Sequence, residues 1–243
     1  MPIPLLLPLI PLGLVGAGIY VGTTALIEWQ KKHKNAPAPK TIAVIGRRGV
    51  GKTTLISYLR DQRLPKSVSP TQAPSEGAIV ELDSSIGSET FLVTRDVPGD
   101  DVLGFPQWKE EVSSADIVCY LFRADLLVSG DENETARVKQ DLLMLQGWMS
   151  KKKGKPKQYV LVGTSAQRHP DYESAPQEDF RGRVDAVPVI RLNRLTLKNA
   201  RLVVGDLSEP DAAAWLREQL GERLVSTPAP TKSQQSNEME TQQ

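Results

Sequence analysis

Apolar runs of five to eight residues are spaced along the middle of the chain. The clearest ones cover residues 41–45, 116–123 and 158–163, and each is apolar at nearly every position. Such continuous runs are typical of strands that are buried on both faces of a parallel sheet. Between the last two runs, apolar residues recur with the helical period, which predicts a helix over residues 132–149. Its inward positions are Val138, Leu142, Leu145 and Met149.

The other segments alternate between helix and strand patterns. In chain order they predict a helix at 53–59, strands at 77–82 and 89–96, a helix at 105–115, a strand at 201–205 and a last helix that begins at the capping sequence 208–211 and ends at Gly221. The segment 187–197 fits either a strand or an extended loop. Strands that alternate with helices predict a three-layer α/β domain with a mostly parallel sheet.

The turn after the first strand carries a strong pattern, Gly46-Arg47-Arg48-Gly49-Val50-Gly51-Lys52-Thr53, followed by Thr54. Its glycines allow backbone N–H groups to turn inward around nucleotide phosphates. In this pattern Lys52 places a positive charge at the β- and γ-phosphate oxygens, and the hydroxyl of Thr53 ligates Mg²⁺. Residues 46–54 are therefore predicted to bind a nucleotide, with solvated loop positions as the alternative for Arg47 and Arg48.

The amino-terminal segment has a different composition. Residues 2–29 carry one charged side chain, Glu28, and the 25 residues 5–29 are enough to cross a hydrocarbon core of roughly 30 Å as a helix. Lys31, Lys32 and Lys34 follow, which predicts a single-pass membrane protein whose domain faces the cytoplasm. A cleaved signal peptide and a buried core helix are the alternatives. The G-x-x-x-G at Gly18–Gly22 adds the prospect of a helix-mediated dimer.

These patterns divide the chain into four parts. They are a transmembrane anchor at 1–30, a basic juxtamembrane linker at 31–39, the folded domain at 40–225 and a polar tail at 226–243, whose composition predicts disorder. The formal net charge of +1 gives no indication of nucleic-acid binding, and none is expected. The single cysteine, Cys119, cannot form an internal disulfide and is predicted to be a small buried side chain.

Three motifs, taken in order, resemble those of the Ras-like P-loop GTPases of the translation-factor (TRAFAC) class. They are the loop 46–53, the sequence Asp96-Val97-Pro98-Gly99 and the loop around Thr71, and the resemblance spans about residues 40–225. It implies GTP and Mg²⁺ as cofactors, with Asp96 holding Mg²⁺ through water and the Gly99 amide contacting the γ-phosphate. It also implies that Thr71, with Ser69 as the alternative, is a second Mg²⁺ ligand in a switch loop.

The base-recognition motif departs from this family. Where the family has N-K-x-D after the fifth strand, this chain has Thr164-Ser165-Ala166-Gln167. A glutamine offers one acceptor and one donor group, whereas an aspartate accepts two charge-assisted bonds from guanine. Thr164 and Gln167 are the predicted base-side residues, and Asp206 and Asp171 are alternative carboxylates. ATP therefore remains an alternative to GTP.

A second departure concerns hydrolysis. Asp100 stands where Ras-like members often have a glutamine that orients the attacking water. Lys52, Thr71, Gly99 and Asp100 are the residues expected at the γ-phosphate, and a carboxylate there predicts slow intrinsic turnover. The predicted function is a membrane-anchored, slow GTPase switch that recruits an unidentified cytosolic protein effector. The alternatives are a non-hydrolysing nucleotide-binding scaffold and an ATP-specific NTPase.

Overall fold

Strands and helices alternate along the domain. The structure, a computed structural model, describes residues 23–33, 36, 38–67, 77–99, 104–150, 158–172, 177–197 and 200–225. The strands are β1 (Lys40–Gly46), β2 (Ala78–Ser84), β3 (Gly87–Val93), β4 (Ile117–Arg123), β5 (Gln158–Thr164) and β6 (Ala200–Val204). The helices are α1 (Thr23–Lys32), α2 (Lys52–Asp61), α3 (Gly104–Ser114), α4 (Ala124–Val128), α5 (Glu132–Ser150), α6 (Gln177–Ala186), α7 (Pro188–Thr196) and α8 (Pro210–Leu224).

The strands form one mixed sheet in the order β2-β3-β1-β4-β5-β6. β2 pairs with β3 in the antiparallel sense, and the other neighbours pair in parallel. β1 lies between β3 and β4, and its Ile42 is in register with Val93 on one side and Ile117 on the other. The carboxyl ends of the five parallel strands therefore meet at one edge of the sheet, where ligands of such folds bind.

Helices cover both faces of this sheet, which explains the continuous apolar runs. One core cluster joins the sheet to α2 and α8, and the other joins it to α3, α5, α6 and α7. Every residue of β4 except Arg123 is buried. Cys119 lies in this strand, and burial raises the pKa of its thiol to about 12, so the side chain stays protonated and packs as a small apolar group. This mixed α/β architecture fits a P-loop fold.

Two predicted elements differ from the structure. Residues 188–196 form the helix α7, with Pro188 in its first turn and Ile190 and Asn193 buried. Leu192 and Leu195 are 67% and 73% exposed, and these outward apolar residues hide the helical period of the segment. The last helix, α8, does not end at Gly221 but continues to Leu224.

A membrane-spanning helix was predicted ahead of the domain, and the described part of the chain does not contain one. No helix among the described residues has both the length and the apolar character that a membrane crossing needs. α1 has ten residues and rises about 15 Å, half of a hydrocarbon core of roughly 30 Å. Residues 1–22, with the predicted dimerisation motif, lie outside the described residues, as does the predicted tail. The predicted single-pass anchor is wrong on this finding, and so is the membrane location facing the cytoplasm.

Candidate nucleotide-binding site

The loop between β1 and α2 turns sharply at the carboxyl edge of the sheet. Gly46, Gly49 and Gly51 have φ angles of 152°, 83° and 90°. Gly51 is the residue that precedes α2, and its left-handed conformation is one that side-chain-bearing residues rarely adopt. The loop therefore delivers the chain into the amino end of α2, where the helix dipole favours an anion.

The first residues of α2 carry the groups expected at the phosphates. Lys52 is 6% exposed, and its Nζ donates a hydrogen bond to the carbonyl oxygen of Arg47 at 3.2 Å. The hydroxyl of Thr53 donates to Oδ2 of Asp96 at 2.6 Å, and Asp96 is 2% exposed. A hydroxyl and a carboxylate, both predicted to hold a cation, are thus in contact, although these residues are 43 positions apart in the chain.

These two groups fit Mg²⁺ in a phosphate site. Mg²⁺ is usually held by one or two carboxylates together with substrate phosphates and water, and not by a cage of protein ligands. The described residues contain no cluster of three His, Cys, Asp or Glu side chains that could hold a metal. Thr53 and Asp96 would hold the ion from the protein side, and Thr71, the third predicted ligand, lies outside the described residues.

The segment from Asp96 to Gly99 packs directly on residues 46–53, which we call the phosphate loop. The N–H of Arg48 donates to the carbonyl oxygen of Gly99 at 3.1 Å. A Cβ at position 99 would lie 2.5 Å from the backbone of Arg47 and Arg48 and 2.7 Å from Nζ of Lys52. Only glycine allows the backbone at position 99 to lie this close to Arg47 and Arg48. The same distances place Gly99 beside Lys52, the lysine that is expected to bind phosphate. Asp100 lies outside the described residues.

Arg47 is held inward, although solvent exposure was the alternative for it. Its guanidinium forms a bidentate ion pair with Asp141 of α5, with Nε–O distances of 2.9 and 3.0 Å and an Nη2–Oδ1 distance of 2.6 Å. It also lies 4.6 Å from the centre of the Phe105 ring, a cation–π contact. Arg48, in contrast, is exposed. Arg47 therefore fastens the phosphate loop to α3 and α5.

Asp141 is the buried partner of Arg47 in this ion pair. It is fully buried, and the hydroxyl of Tyr120 donates to its Oδ2 at 3.0 Å. Burial raises the pKa of the Asp141 carboxyl, and the hydrogen bonds from Arg47 act in the opposite direction. Sequence reasoning missed Asp141 and Tyr120. The available signal was a charged residue three positions after Val138, on the inward face of a long helix.

The predicted base-side residues follow β5. The hydroxyl oxygen of Thr164 lies 2.8 Å from the carbonyl oxygen of Val50 and 3.1 Å from that of Phe122, so it ties β5 to the phosphate loop. Gln167 lies in a single 3-10 turn, Ala166–Arg168. Its Oε1 is buried and has no hydrogen-bond partner in the described part of the protein. A buried acceptor at this edge thus lacks the partner that buried polar atoms usually have.

The two alternative carboxylates are engaged in local contacts. Asp206 is 4% exposed and accepts hydrogen bonds from the backbone N–H groups of Leu207 and Ser208 and from the Ser208 hydroxyl. Asp171 pairs with Arg183 at 2.5 Å, and that guanidinium lowers the pKa of its carboxyl. Both carboxylates therefore already have hydrogen-bond partners within the protein.

Comparisons with known proteins add little to this geometry. No family model matches the sequence, and no curated protein matches it. Among solved structures, the one titled "The Structure of the Mammalian SRP Receptor" is 15% identical, covers 73% of this chain and 98% of that chain, and has a TM-score of 0.49. Membership in the TRAFAC class stays a prediction.

Proposed function

We propose that this chain binds GTP together with Mg²⁺ at residues 46–54 and Asp96. The observation that carries the proposal is the 2.6 Å contact between the Thr53 hydroxyl and the Asp96 carboxylate at the start of α2. It joins two oxygen groups suited to Mg²⁺ at the amino end of a helix, beside a nearly buried lysine.

The chain's own groups divide the work of binding the triphosphate. The N–H groups of the loop and of the amino end of α2 would donate hydrogen bonds to the phosphate oxygens. Lys52 adds a positive charge on a side chain that is itself nearly buried, where electrostatic attraction is stronger than in bulk solvent. Mg²⁺, when bound, supplies further neutralisation of the β- and γ-phosphate charge. The ion pair of Arg47 with Asp141 keeps the loop in its binding shape.

Lys52→Ala is expected to weaken GTP binding roughly tenfold to hundredfold, because a charge-assisted hydrogen bond contributes about 1.5–3 kcal/mol. Titration of the full chain with a fluorescent GTP analogue in Mg²⁺ measures this. Lys109→Ala, at an exposed position of α3, is the matched control and should bind like the parent chain. Absence of GTP binding in the parent, or equal binding by Lys52→Ala, would contradict the proposal.

Gln167 sets the base preference in this proposal. Its buried Oε1 can accept one bond from guanine, but its amide also suits adenine, so discrimination against ATP is weak. Gln167→Asp is expected to raise the preference for GTP over ATP about tenfold, since two charge-assisted bonds replace one neutral bond. Competition between the two nucleotides measures the ratio. The control is Gln167→Asn, which has the length of aspartate without its charge and should not raise the GTP-to-ATP ratio. If Gln167→Asn raises the ratio, or if Gln167→Asp leaves it unchanged, Gln167 does not contact the base.

For turnover we propose a slow GTPase that acts as a switch and engages a protein effector through its loops. Two observations support slow hydrolysis: Asp100 replaces the water-orienting glutamine, and Arg47, one candidate source of positive charge, is already paired with Asp141. A non-hydrolysing nucleotide-binding module is the second candidate. A single-turnover measurement of phosphate release from the GTP complex distinguishes the slow GTPase from the non-hydrolysing module. The module would release phosphate no faster than GTP does in buffer alone.

A further inference from the structure

Arg48 lies where the phosphate loop meets the segment that follows β3. Its backbone N–H donates to the carbonyl oxygen of Gly99 at 3.1 Å. A Cβ at position 99 would lie 2.5 Å from the backbone nitrogen of Arg48 and 2.7 Å from Nζ of Lys52. The backbone of Arg48 and the ammonium group of Lys52 therefore lie beside the same point at the carboxyl edge of the sheet.

The strand order gives a bound nucleotide a direction along this edge. β3 and β5 lie on opposite sides of β1. At the end of β5, the Thr164 hydroxyl lies 2.8 Å from the carbonyl oxygen of Val50, and Gln167, the proposed base-side residue, follows. Arg48 contacts Gly99, which follows β3. With the base on the β5 side, the γ-phosphate, which is farthest from the base, is expected on the β3 side, next to Arg48.

The two arginines of the loop differ in what their side chains contact. The guanidinium of Arg47 is committed to Asp141 and to the ring of Phe105. The side chain of Arg48 is exposed, and its three methylene groups let the guanidinium move while the backbone stays bonded to Gly99. A guanidinium is a planar fork of N–H donors that matches two phosphate oxygens. Arg48 can therefore reach a γ-phosphate beside Lys52 without a change in the loop.

We propose that Arg48 binds the γ-phosphate and makes the chain prefer a nucleoside triphosphate to the diphosphate. This inference rests on the proposed function, since it requires a nucleotide at the phosphate loop. A diphosphate lacks the group that Arg48 would bind, so the arginine stabilises the triphosphate complex alone. Loss of the γ-phosphate would release the guanidinium, so the contacts of Arg48 would differ between the two states of the proposed switch.

The test compares the affinities of the full chain for a non-hydrolysable GTP analogue and for GDP, by calorimetry with Mg²⁺. Arg48→Met is expected to lower the affinity for the analogue about fivefold, the contribution of a favourable exposed ion pair, and to leave the affinity for GDP unchanged. Arg48→Lys keeps the charge without the planar fork and should lose less. Arg63→Met removes an exposed arginine from the turn after α2, and this matched control should change neither affinity.

Salt provides a second measurement. An exposed ion pair is screened by dissolved ions, and the screening length falls to about 3 Å at 1 M salt. The difference between the parent and Arg48→Met should therefore shrink at 1 M salt. A difference caused by a distorted loop would persist there.

Three results would overturn the inference. They are an unchanged ratio of the two affinities in Arg48→Met, an equal fall of both affinities in that variant, and an effect of Arg63→Met as large as that of Arg48→Met. In each of these cases the parent chain still binds GTP, so the proposed function stands. A parent chain that binds neither nucleotide would contradict the phosphate site and this inference together.

Discussion

Arg47→Met is expected to lower the free energy of unfolding by about 3–5 kcal/mol, the cost of leaving a buried charge without its partner. Asp141 is fully buried and accepts hydrogen bonds from both Nε and Nη2 of the Arg47 guanidinium. After the substitution, the hydrogen bond from Tyr120 remains, but a neutral hydroxyl does not offset a full negative charge in the protein interior. The pair also shapes the phosphate loop, so GTP affinity should fall together with stability.

Urea denaturation of the parent and of Arg47→Met measures this difference. Arg48→Met is the matched control, because Arg48 is the exposed neighbour in the same loop and its loss should cost no more than about 0.5 kcal/mol. The double variant Arg47→Met/Asp141→Leu should regain part of the loss, since it removes the unpaired charge as well. Equal stability of Arg47→Met and Arg48→Met would show that the pair contributes nothing.

The same variant has a defined pH dependence. Burial raises the pKa of Asp141 in the folded state. The protonated carboxyl therefore favours the folded state at a pH below the pKa in the unfolded chain, about 3.9. This stabilisation is lost as the pH rises through the pKa of Asp141 in the folded protein. Arg47 opposes this rise in pKa, and Arg47→Met removes that opposition. The stability difference between the variant and the parent should therefore be smaller at pH 4 than at pH 7.

Gly221→Ala is expected to destabilise the domain by about 2–3 kcal/mol or more, although alanine is the better helix former. A Cβ at position 221 would lie 1.9 Å from the backbone carbonyl oxygen of Asp83, so α8 would have to move away from β2. Overpacking of this kind costs typically 1–3 kcal/mol, and more where backbone must shift. The gain in helix propensity is about 1 kcal/mol and does not offset it.

Thermal unfolding monitored by circular dichroism measures this effect. Gly147→Ala is the matched control, because Gly147 lies inside α5 and a Cβ there would meet no atom of the described neighbouring residues within 4 Å. It should stabilise the domain by up to about 1 kcal/mol. If Gly221→Ala behaved like Gly147→Ala, α8 would not pack on β2 as the structure has it. α8 shares a core cluster with α2, so the damaging substitution should also weaken nucleotide binding.

Much of the fold could be predicted because its signals are local. The strands at β1, β4 and β5 were read from continuous apolar runs, and α5 from its helical period, within one or two residues of their ends. α7 was missed because its exposed leucines, Leu192 and Leu195, obscure the period. Gly221 was read as a helix end, although the residue lies inside α8, where the neighbouring strand leaves no room for a side chain.

By itself, the sequence determined the α/β class and the phosphate loop at 46–53, because residue type and spacing in one stretch of chain specify both. The tertiary structure decided which distant groups meet. It joined Thr53 to Asp96, paired Arg47 with Asp141 and placed Arg48 beside Gly99. Those contacts follow from strand order and helix packing, and sequence spacing carries no direct record of either.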